Sequence, residues 1–216
     1  MCDEAIKYDF FSVCCNPCWV SLCKQLLKGT NVKICCVVGF PLGSNTTNIK
    51  VLEAAQAVKD GADEIDMVMN IGQAKSRNWN YVRDDIELVV NIVPEDVAIK
   101  VILETCLLSD DEIIEACKCA TQAGAKFVKT STGFGGGGAT VEAVTLMRKT
   151  VDEESVKIGN AIRSVLVKAS GGIRDSQTAK DMLKAGADRI GASSGIKIIG
   201  AGVQDTSTAK KKQEQY

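Results

Sequence analysis

The chain has 216 residues, of which 45% are hydrophobic and 25% are charged; this excludes a disordered, collagen-like or membrane-spanning protein, and a chain of this length builds a core without metals or disulfides. The formal net charge is −1, which excludes a global basic field for holding nucleic acid or an anionic membrane. Histidine is absent, so Ser-His and Cys-His nucleophile pairs and histidine-ligated zinc sites are excluded, and acid-base chemistry must come from carboxylates, Lys, Tyr, Cys or water.

Short apolar runs alternate along the chain with longer helical patterns. Residues 3–9 have the pattern of the last turns of a helix, and no strand is predicted before them. Strands are predicted at 11–15, 32–38, 64–70, 98–103, 126–130, 165–169 and 189–192. Helices are predicted at 48–59, 81–92, 110–122, 141–150 and 176–184. Most of these strands are apolar on both faces, as expected of a parallel sheet covered by helices.

A weak internal repeat supports a series of βα units. Gly61, Gly124 and Gly186 each stand between a predicted helix and the next strand, at nearly equal intervals along the chain. Glycine suits the left-handed position that ends a helix. Repeated βα units form a parallel sheet that is either doubly wound or closed into a barrel, and a closed barrel would need one strand more than the sequence shows.

The ten cysteines do not indicate a disulfide framework. The N-terminus lacks the basic region and the long apolar run of a signal peptide, so we expect a reducing, cytoplasmic compartment. Cysteines inside the apolar runs 13–15 and 34–37 are interpreted as small hydrophobic residues. Cys15 and Cys18 form a CxxC motif without a second one to complete a zinc site; buried packing is favoured, with redox function as the alternative.

The sharpest chemical signal is Lys129, near the C-terminal end of the predicted strand 126–130. Alternation places its side chain on one face with Phe127 and Ser131. Inside a barrel, burial would lower the pKa of Lys129 and leave an amine able to attack a carbonyl group. The structural alternative is a lysine that reaches solvent or pairs with a carboxylate.

Lys168 has the same position in the predicted strand 165–169. If the two strands are neighbours, each ammonium group lowers the pKa of the other lysine. Asp66 lies within an apolar strand, where it could pair with a lysine and move protons, or form a purely structural ion pair. Glu104 is a weaker candidate for the same mouth. Lys100 lies at the opposite strand end, and we expect it to form a structural ion pair.

Small residues follow the last two predicted strands, namely Gly171 and Gly172 after the first and Gly191, Ser193 and Ser194 at the second. Backbone N–H groups at helix starts bind phosphate well. Barrel enzymes often place their phosphate site in the loops after strands 7 and 8. These residues therefore predict a phosphate site.

The segment 133–138 has the form GxGxxG after a strand and before a helix. This motif is the basis of an alternative interpretation, a dinucleotide site. A lysine within the preceding strand, and the lack of a strand ending in an acidic residue at the expected distance, argue against it.

Several longer segments together resemble one family. Residues 127–134 and 137–140 are similar to the Schiff-base strand and loop of deoxyribose-phosphate aldolases, and the segments 38–43, 62–70, 167–174 and 189–194 resemble other motifs of that family. The similarity covers about residues 5 to 203. It implies a TIM (β/α)₈ barrel and a class I aldolase. Such an enzyme reversibly cleaves 2-deoxy-D-ribose 5-phosphate to acetaldehyde and D-glyceraldehyde 3-phosphate.

The resemblance also implies roles for individual residues. Lys129 would form the Schiff base, while Asp66 and Lys168 would transfer protons and Lys168 would also lower the pKa of Lys129. The residues that match the phosphate loops are Gly171, Gly172, Gly191, Ser193 and Ser194. The protonated imine is the electron sink for the carbanion, so neither a metal nor an organic cofactor is implied. The implied partners are small phosphorylated sugars and aldehydes, with neither nucleic acid nor membrane, and a homo-oligomer is possible.

The chain departs from the family pattern at its start. The family usually begins with a strand that bears Asp-His-Thr and then a helix, and this chain begins within that helix. We therefore expect one barrel domain at 1–203, without the first strand and most of the first helix, and a polar tail at 204–216. The connection 152–164 is longer than usual. The alternative function is an inactive barrel remnant or an incomplete gene model.

Overall fold

The computed structural model describes residues 1–157 and 165–200. The strands are β1 (Ser12–Cys15), β2 (Lys33–Val38), β3 (Glu64–Val68), β4 (Ala98–Ile102), β5 (Phe127–Lys129), β6 (Leu166–Ser170) and β7 (Arg189–Gly191). The helices are α1 (Cys2–Lys7), α2 (Val20–Leu26), α3 (Thr47–Asp60), α4 (Ile71–Lys75), α5 (Trp79–Ile92), α6 (Asp110–Gln122), α7 (Val141–Lys157), α8 (Ser176–Lys184) and α9 (Gly195–Ile198).

All seven strands belong to one parallel sheet, and their order in the sheet is their order in the chain. The sheet curls, so that its two edge strands approach each other. The guanidinium group of Arg189 on β7 lies 4.0 Å from the ring centroid of Phe11, just before β1, and donates to Glu64 on β3 at 2.7 Å. A curled parallel sheet with alternating helices confirms the predicted barrel architecture, with seven strands in the described part of the chain.

Alternation along the strands separates two layers of side chains. The outward side chains, such as Cys36, Ile65, Val101 and Val167, are buried in one hydrophobic core with the helices. The inward side chains are largely polar or charged; they include Cys14, Cys35, Glu64, Asp66, Lys100, Lys129, Lys168 and Arg189. The interior of this sheet is therefore a charged cluster surrounded by an apolar shell.

The predicted helix signals act as expected. Ser109 and Glu112 form a reciprocal capping box at the start of α6, and Gly61 ends α3 with a left-handed φ of 113°. The helices α2, α4 and α9 were not predicted, because each has at most seven residues and shows too little helical periodicity. Helix α7 continues past the predicted end at 150, so the first part of the long 152–164 connection is helical.

A buried ion pair fixes two helices against the sheet beside the inner cluster. Lys50 on α3 donates to Asp85 on α5 at 2.6 Å and to the Val68 carbonyl at 3.0 Å. Asp85 also accepts a hydrogen bond from the Thr47 hydroxyl at 2.7 Å. Both charged side chains of the pair are fully buried. Burial lowers the pKa of Lys50 despite the adjacent carboxylate.

The predicted tail at 204–216 and residues 158–164 of the long connection lie outside the described residues. Within the described ranges, no helix combines the length and the apolar character that crossing a membrane requires. Our prediction of one barrel domain at 1–203 remains a prediction.

Candidate active site

Asp66 is the centre of the charged interior and is fully buried on β3. Its Oδ1 accepts a hydrogen bond from Lys100 Nζ at 2.8 Å. Its Oδ2 accepts one from Lys129 Nζ at 2.7 Å and another from Lys168 Nζ at 2.8 Å. One carboxylate thus binds three lysines from three other strands.

Strand register explains why these side chains meet. Lys129 and Lys168 are direct partners across β5 and β6, and Asp66 and Lys100 are direct partners across β3 and β4. All four side chains point inward because the side-chain period of a strand is two residues. The structure therefore brings together Lys129, Lys168 and Asp66, the three residues proposed for catalysis from the sequence.

Lys100 also belongs to this cluster, although the sequence did not predict it there. It forms the expected ion pair, with Glu64 Oε2 at 2.9 Å, but its Nζ also reaches Asp66. The sequence predicted Lys100 at the opposite strand end and only in the ion pair. In the structure Lys100 lies directly opposite Asp66 across β3 and β4, so its ammonium group is within reach of the carboxylate.

The electrostatics of Lys129 differ from the sequence prediction. Burial favours the neutral amine, but the negative charge of Asp66 at 2.7 Å outweighs it, so the pKa of Lys129 is raised. The prediction that the pKa of Lys129 is lowered was wrong. It took account of burial and of the positive charge of Lys168, but not of the negative charge of Asp66, which both lysines share. The pKa of Asp66 lies well below its ordinary value: burial opposes the charged form, but the three ammonium groups overcome that effect.

Glu104 lies just after β4 and anchors the glycine-rich loop that follows β5. Its side chain is buried, and its carboxylate accepts hydrogen bonds from the Thr132 hydroxyl and from the Thr132 N–H at 3.2 Å. A Cβ at Gly135 would lie 2.6 Å from the Glu104 carboxyl carbon, and one at Gly138 would lie 2.3 Å from the Gly171 carbonyl oxygen. Close packing within the protein therefore accounts for glycines of the GxGxxG motif, which weakens the dinucleotide interpretation.

The proposed phosphate residues lie at the carboxyl ends of the neighbouring strands β6 and β7. Gly171 and Gly172 follow β6 with φ values of 85° and 77°. Gly191 pairs with Ser170 across the strands, and a Cβ there would lie 3.0 Å from Lys168 Cε. Ser193 and Ser194 follow β7, immediately before α9. All five residues lie at the carboxyl end of the parallel sheet, where the strands that carry Lys129 and Lys168 also end.

Two thiols complete the interior, although both lie in apolar runs that are typical of hydrophobic packing. Cys14 on β1 and Cys35 on β2 are direct cross-strand partners. Their sulfur atoms and an Asp66 carboxylate oxygen all lie within 4.8 Å of one another. A hydrogen bond from Cys35, aided by the charges of Lys129 and Lys168, lowers the pKa of Cys14 to about 7. All ten cysteines are free thiols, including Cys15 and Cys18 of the CxxC motif.

Comparison with known proteins shows a consistent set of relatives. The chain matches the model of the DeoC/LacD family of aldolases over residues 1–201. It is 57% identical over 201 residues to a deoxyribose-phosphate aldolase of Caldanaerobacter subterraneus, in an alignment that covers 92% of this chain and 83% of that protein. It is 55% identical over 207 residues to a deoxyribose-phosphate aldolase of Mannheimia succiniciproducens, covering 96% and 87% of the two chains.

The fold has equally clear counterparts among solved structures. The deoxyribose phosphate aldolase of Aeropyrum pernix, described as a unique tetrameric structure, superposes with a TM-score of 0.82 at 30% identity. That match covers 94% of this chain and 82% of the other. An aldolase called QR15 superposes with a TM-score of 0.84 at 40% identity, covering 96% of this chain and 88% of the other.

Proposed function

The chain belongs to the DeoC/LacD family of aldolases, and from this premise we propose that it cleaves 2-deoxy-D-ribose 5-phosphate reversibly to acetaldehyde and D-glyceraldehyde 3-phosphate. The match to the family model over residues 1–201 confirms the resemblance found in the sequence. The observation that carries the proposal is the convergence of Lys129 and Lys168 on one oxygen of Asp66. The relatives above 50% identity, which are named deoxyribose-phosphate aldolase, favour this activity over an inactive remnant.

Lys129 is the nucleophile of the proposed reaction. Its Nζ must lose a proton before it attacks the substrate carbonyl, and the bond to Asp66 opposes that loss. Asp66 also binds Lys100 and Lys168, so it retains two partners when Lys129 leaves it. Without its counter-ion, a buried Lys129 beside the Lys168 ammonium group favours the neutral amine. Release from Asp66 therefore activates Lys129.

The imine then allows the carbon–carbon bond to break. The substrate hydroxyl at the cleaved carbon loses its proton, D-glyceraldehyde 3-phosphate leaves, and the bonding electrons move into the protonated imine to give an enamine. The enamine takes up a proton at carbon, and water releases acetaldehyde and the Lys129 amine. Asp66 and Lys168 are the groups placed to carry these protons.

The phosphate of the substrate would bind at the ends of β6 and β7. Gly171, Gly172 and Gly191 offer backbone N–H groups without side-chain obstruction, and Ser193 and Ser194 offer hydroxyl groups as well. Small residues at this position suit a phosphate because backbone N–H groups approach it closely. In this proposal the phosphate binds one or two strands away from the nucleophile on β5.

Borohydride trapping with acetaldehyde tests the function. Reduction of the imine leaves an ethyl group on Lys129, which peptide mass spectrometry locates. Lys129→Leu should lose both the adduct and the cleavage of 2-deoxy-D-ribose 5-phosphate. Lys126→Leu, on an exposed side chain just before the same strand, is the matched control and should keep both. A folded protein that gives no adduct would support the inactive remnant instead.

We further propose a cytoplasmic homo-oligomer that consumes deoxyribose phosphate from deoxyribonucleotide breakdown. Ten free thiols suit a reducing compartment. The tetramer described for the Aeropyrum pernix relative supports self-association, as do exposed apolar side chains on two adjacent helices, Leu22 and Leu26 on α2 and Ile49 and Leu52 on α3. Light scattering of the purified protein tests this, and a monomer at all concentrations contradicts it.

A further inference from the structure

Cys14 and Cys35 are close enough to be joined without rearranging the sheet. They are direct partners in the parallel pair β1–β2. Neighbouring strands lie about 4.8 Å apart, within the Cα separations of about 4.4–6.8 Å found across disulfides. Their sulfur atoms lie within 4.8 Å of each other. Forming a bond between them therefore requires side-chain rotation and little backbone movement.

The two thiols differ in the way that a nucleophilic and a resolving cysteine differ. Cys14 is exposed, whereas Cys35 is fully buried. The interaction with Cys35 and the positive charges of Lys129 and Lys168 lower the pKa of Cys14 to about 7, so its thiolate form is accessible at neutral pH. The same interaction, together with burial, raises the pKa of Cys35, although Lys100 Nζ donates to Cys35 Sγ at 3.4 Å and opposes that shift. Thiolate character and exposure determine which cysteine reacts with an oxidant.

A metal ion is a poorer occupant of the same position. Cys14, Cys35 and Asp66 together offer three donor atoms. However, the Asp66 oxygens already accept hydrogen bonds from Lys100, Lys129 and Lys168. A divalent cation would therefore have to approach three ammonium groups around a single carboxylate, which Coulomb repulsion opposes.

We propose that Cys14 and Cys35 are a modification site for peroxides, at which oxidation forms a reversible disulfide across β1 and β2. The Cys14 thiolate attacks hydrogen peroxide, breaks the O–O bond and becomes a sulfenic acid, while the hydroxide released takes up a proton to form water. The Cys35 thiol then attacks the Cys14 sulfur, giving the disulfide and a second water. Two thiols are oxidised and one peroxide is reduced.

The disulfide would change the surroundings of the lysines. The negative charge of the Cys14 thiolate favours the ammonium form of Lys129. A disulfide carries no charge, so this effect is lost on oxidation. The disulfide also alters the acceptor of Lys100, whose Nζ donates to Cys35 Sγ at 3.4 Å in the reduced protein. The inference goes beyond the proposed aldolase activity, and its chemistry is measured without any turnover.

The chain supplies a matched control in the same two strands. Cys15 and Cys36 are also direct cross-strand partners, one residue further along, but on the outer face of the sheet. Both are buried, and burial raises the pKa of Cys36 to about 12 and that of Cys15 further. The two pairs share the same cross-strand register but differ in thiolate character, so the comparison tests whether register alone leads to oxidation.

Treatment of the full chain with one equivalent of hydrogen peroxide tests the proposal. We expect the intact mass to fall by two hydrogens, a non-reducing peptide map to link the peptides with Cys14 and Cys35, and dithiothreitol to reverse both changes. Cys14→Ser and Cys35→Ser should each lose the link, whereas Cys36→Ala and Cys2→Ser should keep it; the second removes the Cys2–Cys23 sulfur pair at 3.8 Å.

Two results would overturn the proposal. One is a link that persists in Cys14→Ser, which would assign the oxidation to another pair. The other is wild-type protein in which Cys14 is oxidised to sulfinic acid and remains unlinked to Cys35. Fragment ions of the linked wild-type peptides distinguish a Cys14–Cys35 bond from one between the neighbouring Cys15 and Cys36. The wild-type protein therefore decides the question even where a variant fails to fold.

Discussion

Lys129 on β5 and Lys168 on β6 lie directly opposite each other and donate to the same oxygen of Asp66, at 2.7 and 2.8 Å. The two ammonium groups therefore compete for a single counter-charge. Any change that removes the carboxylate, or one of the two lysines, changes the proton affinity of what remains.

Asp66→Asn should lower the pKa of Lys129. The Asp66 charge raises that pKa in the wild type, so neutralising it makes the ammonium form less stable, while burial continues to favour the amine. The pH at which borohydride trapping with acetaldehyde reaches half its maximal rate should therefore move to lower pH, although cleavage slows because a proton carrier is lost. The exposed Asp84→Asn is the control. An unchanged or higher midpoint would contradict the assigned role of Asp66.

Lys168→Leu should slow the reaction in two ways. Asp66 would have one ammonium partner fewer and would stabilise the Lys129 ammonium more strongly, so imine formation at neutral pH should fall. Loss of a proton carrier should also lower kcat by about 10²–10⁴-fold. Steady-state kinetics and the trapping rate measure the two effects separately, with Lys126→Leu as the control. Wild-type kcat in the Lys168 variant would exclude it from proton transfer.

Gly138→Ala should disturb the phosphate loop selectively. A Cβ at this position would lie 2.3 Å from the Gly171 carbonyl oxygen, so the Gly171–Gly172 turn must shift. We expect KM for 2-deoxy-D-ribose 5-phosphate to rise by about tenfold or more, equivalent to one lost hydrogen bond to a charged group. KM for unphosphorylated 2-deoxy-D-ribose should change little. Gly72→Ala, where the nearest atom is 3.5 Å away, is the control; equal effects on both substrates would argue against a phosphate site here.

Asp85→Ala should destabilise the protein without altering the site chemistry. It leaves Lys50 fully buried without its carboxylate, and breaking a buried pair from one side costs about 3–5 kcal/mol in the free energy of unfolding. Urea denaturation measures the loss. The double variant Lys50→Met with Asp85→Leu should recover most of it, because neither charge remains. A loss below about 1 kcal/mol, as for an exposed pair, would contradict the importance of burial.

The elements were largely predictable because their signals are local. The seven strands follow from apolar, β-branched runs, and α6 begins at its capping box and α3 ends at Gly61. The helices that escaped prediction are short, with at most seven residues each. The strand carrying Lys129 is also shorter than predicted, Phe127–Lys129 against 126–130, although backbone hydrogen bonds to the neighbouring segments continue through Thr130.

The site was predictable only in part. Lys129, Lys168 and Asp66 were chosen as charged residues within apolar strands, and the structure brings them together. Lys100 was predicted only in a structural ion pair; that pair is present, but the contact of Lys100 with Asp66 was missed because it depends on strand register and on the reach of the side chain. Cys14 and Cys35 resemble packing residues in the sequence, and their proximity to the lysines depends on the pairing of β1 with β2 and on the curl of the sheet.

The order of the elements, and the side of each strand to which a residue points, are properties of the sequence itself, because they follow from periodicity and turn chemistry. The protonation of Lys129 is not such a property: the sequence pattern predicted a lowered pKa, and in the structure the pKa is raised. It depends on the 2.7 Å separation from Asp66 on a strand 63 residues earlier in the chain. Coulomb energies vary with distance and with the surrounding medium, and only the folding of the sheet into a curled layer decides both.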